Sequence, residues 1–205
     1  MKKQKLIVLI LVIAVLLTSS FFAFGCNDKE PAFAKAVDSD DGYAYVRMPQ
    51  DRELRILQVT DMHLETWMVG DESLWNLLGI AGDNASSLVL LEKLLSAVNP
   101  DLVVLSGDMV RSWTHDNLEM YARIAEIIEE KELPWMPMFG NHDSEYDFES
   151  NQLLHAELAS ELAKYPYCLM SDTSGAAVGE YFVNIKNSDN DIIYTLCAMG
   201  VYYEV

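Results

Sequence analysis

Three apolar runs, Arg55–Thr60, Asp101–Ser106 and Pro134–Phe139, alternate with stretches of helical periodicity, and this alternation restricts the chain more than any other feature. The second and third runs are apolar at successive rather than alternate positions, which marks strands buried on both faces. Between the first two, Asn84 is placed to N-cap a helix over Ala85–Val98, with Leu88, Leu91, Leu94 and Leu95 at helical spacing and Asn99-Pro100 as its stop. A second helix is predicted from Asp116 to Glu132, where Leu118, Tyr121, Ile124, Ile127 and Ile128 form the apolar stripe and acids the other face. Strand–helix–strand–helix–strand order demands parallel neighbours with helices packed on the sheet. Residues 64–83 read as a long loop and Glu149–Lys164 as a further amphipathic helix. Cys168–Ser171, Gly179–Ile185 and Asp191–Met199 follow as strands, with a turn at Asp189-Asn190-Asp191.

Each of the first three runs ends in residues that carry chemistry: Asp61-Met62-His63, Gly107-Asp108 and Gly140-Asn141-His142-Asp143. In open parallel sheets, ligands collect at the carboxyl ends of the strands. One carboxylate and one imidazole, from Asp61 and His63, suit zinc, iron or manganese better than calcium. Asp108 adds a carboxylate of the kind that bridges two metals about 3.5–4 Å apart. Asn141 offers an amide oxygen to a metal, His142 a proton to a leaving oxygen, and Asp143 a charge to orient that imidazole. Taken singly, each string reads first as a turn. Together, in order, at three strand ends, they define a hard-metal site for phosphate chemistry.

The formal charge is −18, which repels nucleic acid and anionic headgroups and makes nucleic-acid binding an excluded class. The same field repels phosphate esters unless cations sit in the site, so phosphate chemistry here requires a metal cofactor; the plainer role of the acidity is to keep an exported protein soluble. The N-terminus reads as a targeting segment over residues 1–25. Lys2, Lys3 and Lys5 precede the apolar stretch Leu6–Leu17, and Ala23 and Gly25 lie just before Cys26. This resembles a bacterial lipoprotein signal with Cys26 as the lipidation candidate; an uncleaved anchor and an ordinary signal peptide are the alternatives. All three export the remainder, and the first two hold it at a membrane. Residues 26–50, polar and rich in breakers such as Asp38-Ser39-Asp40-Asp41-Gly42, read as a flexible tether, and 51–205 as the folded domain. Cys168 and Cys197 are open to a disulfide or to two buried thiols.

On these motifs, and on the longer strings Ile56–Leu64 and Pro100–Asp108, residues 52–205 resemble the calcineurin-like metallophosphoesterase superfamily, in a branch loosely related to purple acid phosphatases. The resemblance implies an α/β fold, a β-sandwich flanked by helices, and attack on phosphorus in a small phosphate ester by metal-bound hydroxide. It implies two divalent metals: Asp61 and His63 on the first, Asp108 bridging, Asn141 on the second, and His142 against the phosphate. Two departures stand out. Arg111 occupies the place, three residues after the bridging aspartate, where purple acid phosphatases carry an iron-binding tyrosine. The family's later lone histidine and Gly-His-x-His segment have no counterpart among His63, His115, His142 and His155. The expectation is therefore the N-terminal half of such a fold, its C-terminal part missing, with one tight metal at most, impaired hydrolysis, and an open sheet edge prone to association. The alternatives are a non-catalytic membrane-tethered domain that keeps the fold and a partial metal site, and a nucleotidase or phosphodiesterase built on the same motifs.

Overall fold

A computed structural model describes residues 31–65, 84–111, 116–144, 153–171 and 180–200, all but Pro31 within a unit that spans Ala32–Val205. The expected signal segment, Cys26, most of the 64–83 loop, His115 and the start of the 149–164 helix lie outside the described residues. β1 is Phe33–Ala34 and β2 is Ala44–Arg47; β3 (Ile56–Val59), β4 (Leu102–Ser106) and β5 (Trp135–Met138) form a parallel sheet in that order. β4 is central, and Leu102, Val103 and Leu105 are fully buried, as two-sided burial of an apolar run requires. β3 is less covered, with Ile56 43% exposed.

Two helices make the crossovers. α1 (Asn84–Val98) buries Leu91 and Leu95, while Leu94, expected on the same face, is half-exposed. It ends where Asn99 turns left-handed (φ 46°) and donates its N–H to Leu95 O before Pro100, a C-terminal stop that asparagine tolerates well. α2 (Asn117–Glu129) is capped by Asp116, whose side chain accepts from Glu119 N at 2.8 Å. It buries Met120, Tyr121, Ile124, Ala125 and Ile128. Pro137 sits within β5, where it has no N–H to donate; its carbonyl instead accepts from the buried Tyr181 hydroxyl at 2.8 Å. That bond links the two sheets.

The second sheet has the order β1-β2-β6-β7, with β6 at Tyr181–Lys186 and β7 at Ile192–Ala198. β6 and β7 form a hairpin closed by Asn187, whose side-chain oxygen accepts from Asp189 N and Asp191 N. The run at Cys168–Ser171, expected as a strand, contributes a single parallel bridge from Cys168 to Trp135. α3 (His155–Leu162) completes the described helices. Val46, Val183 and Ile185 share one apolar core with Leu102, Leu105 and Ile128, so the expected α/β arrangement of two sheets with flanking helices forms. On β6 and β7, Phe182, Ile192 and Tyr194 remain well exposed. No helix among the described residues is long and apolar enough to cross a membrane.

One expectation is corrected. Residues 33–47 fall within the predicted tether, yet they supply two strands of the second sheet. β2 runs parallel to β6, and Ala44, Tyr45 and Val46 are buried. The apolar Ala-Tyr-Val stretch overrides its polar surroundings because β6 offers it an edge to pair with. Lys35 reinforces the docking by donating to the carbonyls of Ala163 and Tyr165 at the C-terminal end of α3. The cysteine question is settled too: Cys168 and Cys197 are free, and burial pushes the Cys168 thiol up to about 12.

Asp41 belongs to the same segment. Hydrogen bonds from Lys186 and Ser39 hold its carboxyl down to about 2 from an ordinary 3.8. A depressed carboxyl contributes stability that is fully present above the unfolded value and lost as pH falls from about 4 towards 2. Asp41→Asn is therefore expected to flatten the loss of stability across that window in denaturant unfolding. An unchanged slope would contradict the assignment.

Candidate metal centre

The three chemistry-bearing strings sit side by side because pairing between β3 and β4 continues past the strands. Asp61 N donates to Gly107 O, His63 N to Asp108 O, Leu64 N to Met109 O, and Arg111 N back to Leu64 O. Leu64 and Val110 close this extension as a parallel bridge. Within it, Asp61 (φ 55°), His63 (φ 48°) and Asp108 (φ 54°) all adopt the left-handed conformation. That geometry costs a side-chain-bearing residue roughly 1–2 kcal/mol, and it persists only where surrounding bonds over-determine it. Its effect is to turn three side chains off the ends of two strands towards one point.

They meet. One ligand atom from each of Asp61, His63 and Asp108 lies within 4.8 Å of the others, and His63 Nε2 is 3.5 Å from Asp61 Oδ1. The Asp61 carboxylate is open to solvent and His63 is partly open, so a cation can enter. Two carboxylates and one imidazole, converged and accessible, fit a single divalent ion of the zinc or manganese type.

The third loop is brought against this trio by two glycines. A Cβ on Gly140 would collide with Asp108 Oδ1 and lie 2.7 Å from its Cγ. A Cβ on Gly107, at φ 101°, would lie 2.8 Å from Gly140 N. With that clearance, His142 N donates to Asp108 Oδ1 at 2.9 Å, and the His142 ring lies 5.2 Å from the His63 ring. Asn141 sits in the same turn, partly buried, between Gly140 and His142.

Asp143 was expected to orient His142. Its carboxylate is wholly buried and accepts from Gly140 N (2.6 Å), Asp108 N (2.8 Å) and Val110 N (3.1 Å). Those bonds tie the β4 loop to the β5 loop and make Asp143 a positioning residue for Asp108. Burial pushes its carboxyl up to about 6, against the pull of those N–H donors. Tyr121 is likewise pushed upward by burial and by the Asp143 charge.

Two supports escaped the sequence reading. Asn117, wholly buried, donates from its amide to Asp143 O (2.8 Å) and Leu153 O (2.9 Å) and accepts from Leu153 N (2.9 Å). Its signal was present: a polar residue in register with Tyr121, Ile124 and Ile128 on the apolar stripe of α2. His155 stacks on Phe139 at 5.0 Å with rings 6° from parallel and hydrogen-bonds the Gly140 backbone, while burial holds its pKa down. It holds the turn from behind.

Residues 54–202 match the family model for calcineurin-like phosphoesterases, and the chain belongs to that family. Over 199 residues it is 30% identical to probable inactive purple acid phosphatase 29 of Arabidopsis thaliana, covering 92% of this chain and 48% of that protein. It is also 30% identical over 115 residues to probable inactive purple acid phosphatase 14 of the same plant, covering 53% of this chain and 28% of that protein. The chain thus spans about half the length of the first of these relatives and less of the second.

Strain and ligation make separable predictions. Asp61→Asn keeps a residue that tolerates the left-handed conformation and removes one of two converging charges. It is expected to leave the thermal midpoint unchanged or raised while weakening Mn²⁺ binding at least about tenfold. Gly140→Ala is expected to lower stability by about 1–3 kcal/mol and to weaken metal binding as well. Calorimetric metal titration and thermal unfolding of the two variants check both. A Gly140→Ala protein with unaltered stability would contradict the described packing.

Proposed function

We propose that this chain is a metal-dependent phosphoesterase domain that binds one divalent cation tightly and turns over small phosphate esters weakly. The observation that carries the reading is the convergence of Asp61, His63 and Asp108 at the ends of adjacent parallel strands. Those three residues would hold the ion. When bound, it supplies Lewis acidity and offsets the −18 field that otherwise excludes a phosphate ester.

The remaining roles belong to the chain itself. His142 is anchored through its backbone to Asp108, and its ring lies 5.2 Å from that of His63. We assign the proton it gives to a departing ester oxygen to Nε2, since Nδ1 is buried. Asp143 keeps Asp108 and His142 in register, and Asn141 supplies an amide oxygen at the rim, the donor left for a second and weaker ion. With Asp108 and Asn141 as its protein ligands, that second ion is expected to be loosely held. Which divalent metal occupies the site in the cell, and whether monoesters or diesters are preferred, are matters for assay.

A second reading has specific support: both curated relatives carry the description "probable inactive". On that reading the chain is a membrane-tethered domain that binds metal and phosphate without turnover. Export and lipid attachment at Cys26 are part of either proposal and rest on the composition of residues 1–26.

Two experiments test these statements. Zinc or manganese titration of the full chain, with p-nitrophenyl phosphate and bis-p-nitrophenyl phosphate as substrates, is expected to give one tight ion and slow turnover that Asp108→Asn abolishes. One tight ion with no turnover selects the binding-only reading, whereas two tight ions with fast turnover contradict the proposal. Cys26→Ser is expected to shift the protein from the membrane fraction to the soluble fraction on cell fractionation. Unchanged membrane retention would remove the lipid anchor from the account.

A further inference from the structure

We propose that Arg111, held by the buried carboxylate of Glu65, is the residue that grips the phosphoryl oxygens of the ligand. This rests on the functional reading above and extends it to the recognition of the anion. Both residues lie on the two segments that build the metal centre: Glu65 is two residues beyond His63, and Arg111 three beyond Asp108. The bond from Arg111 N to Leu64 O and the Leu64–Val110 bridge hold these segments together past the ligands. Arg111 therefore stands on the carboxyl-end rim, where ligands of parallel sheets collect.

The pair is unusual in its burial. Arg111 Nη1 lies 2.6 Å from Glu65 Oε1; the Glu65 side chain has no solvent exposure, whereas that of Arg111 is 42% exposed. An ion pair taken out of water gains little stability over apolar residues of the same volume, so it is weak as a purely structural device. It does fix the guanidinium. A long side chain that would otherwise sample many rotamers is pinned at its inner end, with its outer part presented to solvent. A planar guanidinium matches two oxygens of a tetrahedral phosphate, which an ammonium does not. In a chain of net charge −18, a cation fixed on the same two segments that carry the metal trio is what an anionic ester needs in order to enter. The ligand class is a phosphate monoester dianion or inorganic phosphate.

The test uses the full chain with inorganic phosphate as probe, measured calorimetrically with and without Mn²⁺, together with Mn²⁺ affinity itself. Arg111→Ala is expected to weaken phosphate binding at least about tenfold while leaving Mn²⁺ affinity within about twofold. Arg111→Lys, which keeps a charge opposite Glu65 and so protects folding, is expected to recover only part of that loss. Glu65→Leu combined with Arg111→Ala removes the pair together and is expected to fold and to bind phosphate as weakly as Arg111→Ala. Wherever turnover is measurable, KM rises more than kcat falls.

Phosphate affinity unchanged in Arg111→Ala or in the double variant, or a wild-type chain that binds no phosphate, overturns the proposal. A wild-type chain that binds no Mn²⁺, yet loses phosphate affinity on Arg111→Ala, refutes the metal reading and leaves the arginine grip standing.

Discussion

The site depends on one buried carboxylate. Asp143 receives N–H groups from Gly140, Asp108 and Val110, and those three bonds, with the one from His142 N to Asp108 Oδ1, hold the β4 and β5 loops at their close approach. Each of these donors would cost about 1–3 kcal/mol if left buried and unmet, so the acceptor is structurally demanded. Everything nearer the solvent follows from that lock. Asp108 is held left-handed, its carboxylate oxygen meets His142 N, and the two glycines are obligatory because no Cβ fits between the loops. The metal trio is strained and at least partly open to solvent, whereas Asp143 and Asn117 behind it are buried and hydrogen-bonded.

The strand-end motifs were legible because each is a local event: an apolar run that stops at residues with ligand chemistry. The parallel pairing of β3, β4 and β5 followed from helical spacing between the runs and from the parallel-crossover rule. Asp116 and Asn99 capped and stopped their helices as their residue types require. What the sequence concealed depends on pairing between distant residues. Residues 33–47 look like a tether because Asp38 to Gly42 dominate the segment, and only the edge of β6 turns Ala44–Arg47 into a strand. Cys168–Ser171 carries strand composition, but only the Trp135–Cys168 bridge forms there.

The roles within Gly140–Asp143 divided along similar lines. The backbone N–H of His142 reaches the Asp108 carboxylate, a contact between two strand-end loops. Asp143 was read as the partner of its sequence neighbour, whereas its bonds reach 35 residues back to Asp108 and 33 back to Val110. A carboxylate's partners are set in three dimensions, and adjacency in the chain says little about them. Asn117 and His155 escaped for the same reason, since their contacts with the turn cross between elements.

The functional account reduces to whether Asp61, His63 and Asp108 close around a cation. X-ray absorption at the zinc edge, on the full chain loaded with one equivalent of Zn²⁺, tests this most directly. The account predicts a first shell of one imidazole nitrogen with the remaining donors oxygen, and loss of the imidazole signal in His63→Ala. A sulfur-containing shell, or an imidazole signal that survives His63→Ala, would contradict it.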